Sequence, residues 1–422
     1  MQIGVYGSGY LATVISACLA DFGTPVLLCH EDADRILGMA QGVIPFYEKN
    51  LEEVIKRNVK VGRLAYSTDP ETFGQKAQII FLAEDVQADI EAVAEKLAKF
   101  ARHKSILVIV TPVAIGTASR VETRMQKAGI KTTVVSQPIS LTDGCAIEDF
   151  NWPDRIVLGT SSQEAVHALK QIYHPLVMRG VPVVVTNHET AELLRPAATA
   201  FVMTKTSFIN ELASLCEHVN ADAVSLAVAL GLDKRIAPRC LQPGAGIGGT
   251  FVEPQMEGLT RMAAQKGVAL NVLTAAREVN RTLCERIVEK ISKAVNSVEN
   301  KHVAVLGLAL KPNTSSVAGS SSISLVRALL SRGAKVKAYD PVAIPQAKIE
   351  LNGTVKYCES AYAAVEGGDV LVLSTAWPEF RALDFGKIKK LLRSPVIVDT
   401  KNLLDPAALR ALGFRYVGVG RV

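Results

Sequence analysis

What this chain lacks narrows its chemistry first. Its seven cysteines, Cys18, Cys29, Cys145, Cys216, Cys240, Cys284 and Cys358, form no C-x-x-C and no paired spacing. They therefore read as reduced thiols in a cytoplasmic protein, mostly packed as small hydrophobes. The seven histidines include no H-x-x-H and no H-E-x-x-H, so no metal site is expected. No apolar run approaches the roughly 20 residues a membrane-spanning helix needs. There is no long block of Lys or Arg, and a net charge of +6 over 422 residues is mild. Nucleic acid is thus not the expected partner. The N-terminus has no basic stretch ahead of its first glycines, and it reads as a strand and turn rather than a signal peptide. No low-complexity tract occurs.

What is present is a buried-sheet composition, 49% hydrophobic, in a chain long enough for two or three domains. The middle, Thr190 to Gln255, organises the rest. It opens on a long helical run with apolar residues at Leu194, Ala198, Phe201, Phe208, Leu212, Leu215 and Val219. That three-to-four spacing predicts a helix burying one face. A glycine-rich loop follows, with Gly244, Gly246, Gly248 and Gly249, and then Thr250-Phe251-Val252-Glu253-Pro254-Gln255.

Before this stretch, an apolar run ends at Gly7-Ser8-Gly9-Tyr10-Leu11-Ala12, and a helical pattern follows. G-x-G-x-x-A between a strand and a helix is the dinucleotide fingerprint in its proper context. Gly7 allows the tight turn, Gly9 lets a pyrophosphate approach the backbone, and Ala12 sits where helix packs on sheet. The second strand, Pro25–Cys29, should end in an acid that takes the adenosine ribose. Here His30 stands there, with Glu31 one residue on. Further strands are expected at 79–83, 106–110, 132–136, 155–158 and 183–186. After the middle, a polar helix over 272–295 and a linker lead to a second α/β unit. Its strands are expected from His302 and at 335–339, 369–374 and 395–399. The fold class is α/β: two Rossmann-like, doubly wound parallel-sheet domains joined by a long central helix. The expected division is 1–189, 190–295 and 301–422.

Eight separated runs, in order, resemble one family over nearly the whole chain: the UDP-glucose/GDP-mannose dehydrogenases. They are Gly7–Ala12, Gly144–Phe150 with Pro153–Ile156, Lys205–Glu211, Gly231–Ile236, the glycine loop, Leu306–Thr314, Tyr339–Val342 and Phe414–Arg421. The resemblance implies an NAD domain, a central helix forming a dimer and a C-terminal UDP-sugar domain. It also implies oxidation of a nucleotide sugar at C6, twice, through a cysteine thioester.

Carried over residue by residue, the family's oxidative groups are missing. Phe251 stands at the nucleophilic cysteine, Arg195 at the lysine, Thr199 at the asparagine, Ile139 at the glutamate and Pro112 at the threonine. Pro196 argues against a helix at Arg195. The cofactor loop is Glu84-Asp85-Val86-Gln87, whose two acids would repel a pyrophosphate. The sugar side is better kept. Asn210, Arg235, Lys311 and Asp340 match, as do the loop glycines. Asp143 replaces a glutamate and Lys401 an arginine.

The expectation is a family protein without the oxidative machinery. It would still bind a nucleotide sugar, would hold NAD weakly through Gly7, Gly9, Tyr10, Leu11, Ala12 and Glu31, and would form a homodimer or larger homo-oligomer through the central helix. An active family relative is a candidate partner. The alternative is an active NAD-dependent UDP-glucose 6-dehydrogenase with a remodelled site, in which Arg195 with Glu253 or Asp143 supplies the polar groups.

Overall fold

The computed structural model of the protein describes residues 2–84 and 88–421. It divides into two compact units, Met1–Ala197 and Ala198–Val422, and the division falls inside one helix, His188–His218.

The first unit is built on an eight-stranded sheet. Its strands are β1 (Ile3–Tyr6), β2 (Val26–Cys29), β3 (Leu64–Ser67), β4 (Ile79–Leu82), β5 (Ile106–Ile109), β6 (Thr133–Ser136), β7 (Ile156–Gly159) and β8 (Val183–Thr186). They lie in the order β3-β2-β1-β4-β5-β6-β7-β8. Among the described residues the pairings are parallel except at β6 and β7, which meet antiparallel at Ser136 and Gly159. The strands are continuous apolar runs because both faces are covered. Ile79 and Phe81 of β4 enter one core while Ile80 and Leu82 enter the other, and Ile106/Val108 and Leu107/Ile109 of β5 do the same. The first six strands follow the doubly wound order, which places its switch point between β1 and β4.

The second unit carries a six-stranded sheet. Its strands are β9 (His302–Leu306), β10 (Lys335–Tyr339), β11 (Lys356–Tyr357), β12 (Val370–Leu373), β13 (Val396–Asp399) and β14 (Arg415–Gly418). The order β11-β10-β9-β12-β13-β14 repeats the same winding, with parallel pairing throughout the described strands. The helices Val252–Gln265 and Asn271–Val295 precede it in the same unit.

Two expectations for the central helix change. The helix runs unbroken through Pro196, so the proline does not end it. Proline removes one amide donor and disfavours helical angles before it, but packing along a 31-residue helix outweighs that local cost. The apolar face also divides. Met203, Ile209, Ala213 and Cys216 are buried, whereas Phe201, Phe208 and Leu215 are 66%, 52% and 56% exposed. These three recur every seven residues, and the chain does not cover them itself.

Candidate functional site

In the first unit the turn after β1 has the shape a pyrophosphate requires. Gly7 has φ +146°, and a Cβ there would lie 2.3 Å from the carbonyl oxygen of Ala83 at the end of β4. No other residue fits that approach. Gly9 caps the helix Tyr10–Asp21 in extended conformation, and Ala12 is fully buried where the helix meets the sheet. Leu11 packs against the core. The amides at this helix N-terminus are donors of the kind that can take an anion.

The acids that flank this turn are paired. Glu31 is engaged by Lys96 Nζ at 2.6 Å and by the Tyr6 hydroxyl at 3.2 Å. Its carboxyl is held below the usual range, chiefly by the Lys96 hydrogen bond. His30, at the end of β2, places Nε2 3.0 Å from Glu84 Oε1, just beyond β4. The Asp32 amide donates to His30 Nδ1 at 3.0 Å, which makes Nε2 the proton-bearing nitrogen facing Glu84. The bond to Glu84 raises the His30 pKa against the opposing effect of burial. Glu84 is thus not a bare acid, since the imidazole faces its carboxylate, although a neutral ring leaves that carboxylate its charge. Asp85, Val86 and Gln87 lie outside the described residues.

Sequence reasoning missed Glu48, which ties this turn to the loop bearing Asp143. Glu48 is buried and accepts from the Tyr10 hydroxyl at 2.7 Å, Gly144 N at 2.7 Å and Ala146 N at 3.0 Å. Burial pushes its carboxyl above the ordinary range despite these donors. Asp143 is half-buried beside it, and its charge acts on Arg195, raising a guanidinium pKa that burial lowers. Ile139 packs against the core of the first unit. Pro112 is half-buried, and its neighbour Thr111 directs its hydroxyl to the carbonyls of Leu82 and Glu84 at 3.2 and 3.1 Å.

In the second unit two asparagines fix the glycine loop. Asn210 Oδ1 accepts the Gly244 amide at 2.9 Å while its Nδ2 donates to Thr206 O at 2.9 Å, so its buried amide braces the loop. Asn280 accepts Ile247 N and donates to Ile247 O, both at 2.9 Å. Gly246 has φ +81°, and a Cβ there would lie 2.4 Å from Asn280 Oδ1. Gly249 N donates to Gly319 O at 3.0 Å, and Gly248 packs against the same carbonyl. Thr400 O closes on Gly244, which brings the strand end before Lys401 to the start of the loop.

Burial lowers the Lys401 amine to about 8, with Asp399 opposing. Lys311 is half-buried in the turn after β9. Asp340, buried, accepts Leu308 N, Ala309 N and Trp377 Nε1 on one oxygen and Val342 N and Ala343 N on the other, so it shapes that turn. Arg235 is 88% exposed and its guanidinium meets Asp233 of the same turn at 2.7 Å. Phe251 caps the helix Val252–Gln265 and is 50% exposed. Glu253 pairs with Arg277, and Thr199 is half-buried on the central helix. Among the described residues no group of His, Cys, Asp and Glu could hold a metal ion. None of the described helices is long and apolar enough to cross a membrane.

Comparison with known proteins brings these features together. Residues 1–177 match the NAD binding domain of the UDP-glucose/GDP-mannose dehydrogenase family, residues 189–282 its central domain and residues 304–406 its UDP binding domain. The expected cofactor and the matched domain thus agree on NAD. The chain is 35% identical to the UDP-glucose 6-dehydrogenase TuaD of Bacillus subtilis, covering 100% of the chain and 93% of that protein. It is 34% identical to a UDP-glucose 6-dehydrogenase of Pseudomonas aeruginosa, covering 100% and 98%. The structure of a UDP-glucose dehydrogenase from Pyrobaculum islandicum superposes with a TM-score of 0.90 at 29% identity, covering 100% of this chain and 98% of that one. With a dinucleotide turn, a braced glycine loop and two doubly wound sheets in one chain, this protein belongs to the UDP-glucose/GDP-mannose dehydrogenase family.

Proposed function

We propose that the protein is an NAD-dependent UDP-sugar dehydrogenase with a remodelled site. The observation that carries this reading is full-length similarity to proteins named UDP-glucose 6-dehydrogenase, at 35% and 34% identity. The three-part division into 1–189, 190–295 and 301–422 belongs to the same proposal, as does a reducing, cytoplasmic setting for its seven free cysteines.

The chemistry must run without the thiol that Phe251 replaces. Oxidation of a primary alcohol needs none: the C6 hydride passes to NAD, and the hydroxyl proton passes to a base. If the aldehyde is then hydrated, its gem-diol loses a second hydride to a second NAD and becomes the carboxylic acid, again with no covalent bond to the protein. Asp143 is the proposed proton acceptor and Arg195 the cation that stabilises the alkoxide. The loop glycines 244, 246, 248 and 249, with Lys311 and Lys401, are the proposed nucleotide-sugar contacts. Arg235, exposed on its turn, is proposed to serve a neighbouring copy. The homodimer forms through the central helix, whose uncovered Phe201, Phe208 and Leu215 support it.

A second reading draws on the resemblance, which places Phe251, Ile139 and Thr199 where the family carries groups of its oxidation. In that reading the protein binds nucleotide sugar without turning it over and pairs with an active relative. Assay of NADH formation from NAD with UDP-glucose, GDP-mannose and UDP-N-acetyl sugars tests both. Turnover above background supports the dehydrogenase. Its absence, with a melting shift on adding a UDP-sugar, supports the binding partner.

A further inference from the structure

In dinucleotide-binding units the acid at the end of the second strand accepts the adenosine-ribose hydroxyl. This chain has His30 there, and Glu31 beside it is taken by Lys96 and Tyr6. A carboxylate nonetheless reaches the same place from another strand. Glu84 lies just past β4, β4 and β2 flank β1, and His30 Nε2 meets Glu84 Oε1 at 3.0 Å. The pair thus spans the end of β1, directly beside Gly7, whose backbone abuts Ala83. That is the crevice where the strand order reverses and where ligands of such sheets bind.

Both partners are fixed in place. The Asp32 amide orients the imidazole through Nδ1. The Thr111 hydroxyl holds the Glu84 carbonyl at 3.1 Å, so the backbone that presents the carboxylate is anchored. An ionised carboxylate offers about four lone-pair sites, so it can accept a hydroxyl while His30 Nε2 stays against it.

We propose that Glu84, oriented by His30, accepts the adenosine-ribose hydroxyl in this chain and thereby selects NAD over its 2′-phosphorylated form. The acid has moved from the second strand to the fourth, and the histidine in its old position now steers it. A carboxylate at that point repels a 2′-phosphate as the fingerprint acid does. The inference rests on the reading of the chain as an NAD-dependent dehydrogenase and assigns the specificity of that same site.

The test is NADH and NADPH affinity of the purified full-length protein, with thermal melts to confirm folding, for wild type, Glu84→Gln, His30→Ala and the double variant His30→Asp/Glu84→Gln. Glu84→Gln is expected to weaken NADH binding by about tenfold or more, the worth of a hydrogen bond to a charged group, and to narrow the preference over NADPH. His30→Ala weakens NADH less. The double variant, with the acid returned to the second strand, recovers both. Unchanged or tighter NADH binding by Glu84→Gln, with wild type binding NADH, overturns the assignment and leaves the dehydrogenase reading standing. Absence of NADH binding by wild type and every variant overturns both.

Discussion

Asn280 grips both backbone groups of one residue: its side chain accepts the Ile247 amide and donates to the Ile247 carbonyl, each at 2.9 Å. The glycine loop owes its shape to this contact and to Asn210 at Gly244. Replacing Asn280 with Ala leaves two backbone groups without partners, a cost of about 1–3 kcal/mol each where they stay buried. The expected result is a lower melting temperature together with weaker UDP-sugar binding, read by thermal melts with and without UDP-glucose. Normal ligand affinity would show that the loop does not bind the sugar nucleotide.

Glu48 does comparable work in the first unit, where one carboxylate joins Tyr10 to the amides of Gly144 and Ala146. Glu48→Ala should cost about 2–4 kcal/mol, from a lost buried group and three orphaned donors. It should also raise the NAD dissociation constant, because Tyr10 follows the dinucleotide turn. Denaturant unfolding and NADH titration check the two effects separately.

The architecture was largely readable because parallel strands covered on both faces are plain apolar runs, as at Ile79–Leu82 and Ile106–Ile109. Leu64–Ser67 and Lys356–Tyr357 escaped because they are short and partly exposed, with no apolar period to mark them. Periodicity also announced one apolar face on the central helix, but period alone cannot say whether the cover comes from the same chain. Glu48, Asn280 and Thr111 were invisible for another reason. A single polar residue acquires meaning only when the fold brings its backbone partner from 27 to 98 residues away. His30 stands out in the sequence as a missing acid, yet nothing there joins it to Glu84.

The uncovered helix face gives a prediction about assembly. Phe201, Phe208 and Leu215 form one exposed stripe, the face through which the proposed homodimer would form. Wild type is expected to run as a dimer in light scattering after gel filtration, and Phe208→Glu, which places a charge at the centre of the stripe, as a monomer. A dimer that persists unchanged would place the interface elsewhere.

Lys401 makes stability depend on pH in a defined direction. Its amine titrates at about 8 in the folded chain, against about 10.4 for an ordinary lysine. Between these values the unfolded chain binds the proton and the folded chain does not, so stability rises with pH across that window. Below it both forms are protonated and the full cost of the buried cation is present. Lys401→Met should therefore melt higher than wild type near neutral pH and lose the rise. UDP binding by wild type should weaken as pH passes upward through about 8, where the cation is lost, and the variant should lack that dependence. Melts and UDP titrations over a pH series check both.

The protein is proposed to move a hydride from a UDP-sugar to NAD without a nucleophilic thiol. UDP-glucose carrying deuterium at both C6 positions tests it most directly, incubated with the protein and NAD and followed by mass spectrometry of cofactor and sugar. The expected result is NADH bearing one deuterium and a sugar oxidised at C6, undiminished by alkylation of the exposed Cys145. Unlabelled NAD recovered beside unchanged UDP-glucose would contradict it and leave the protein as a binding partner.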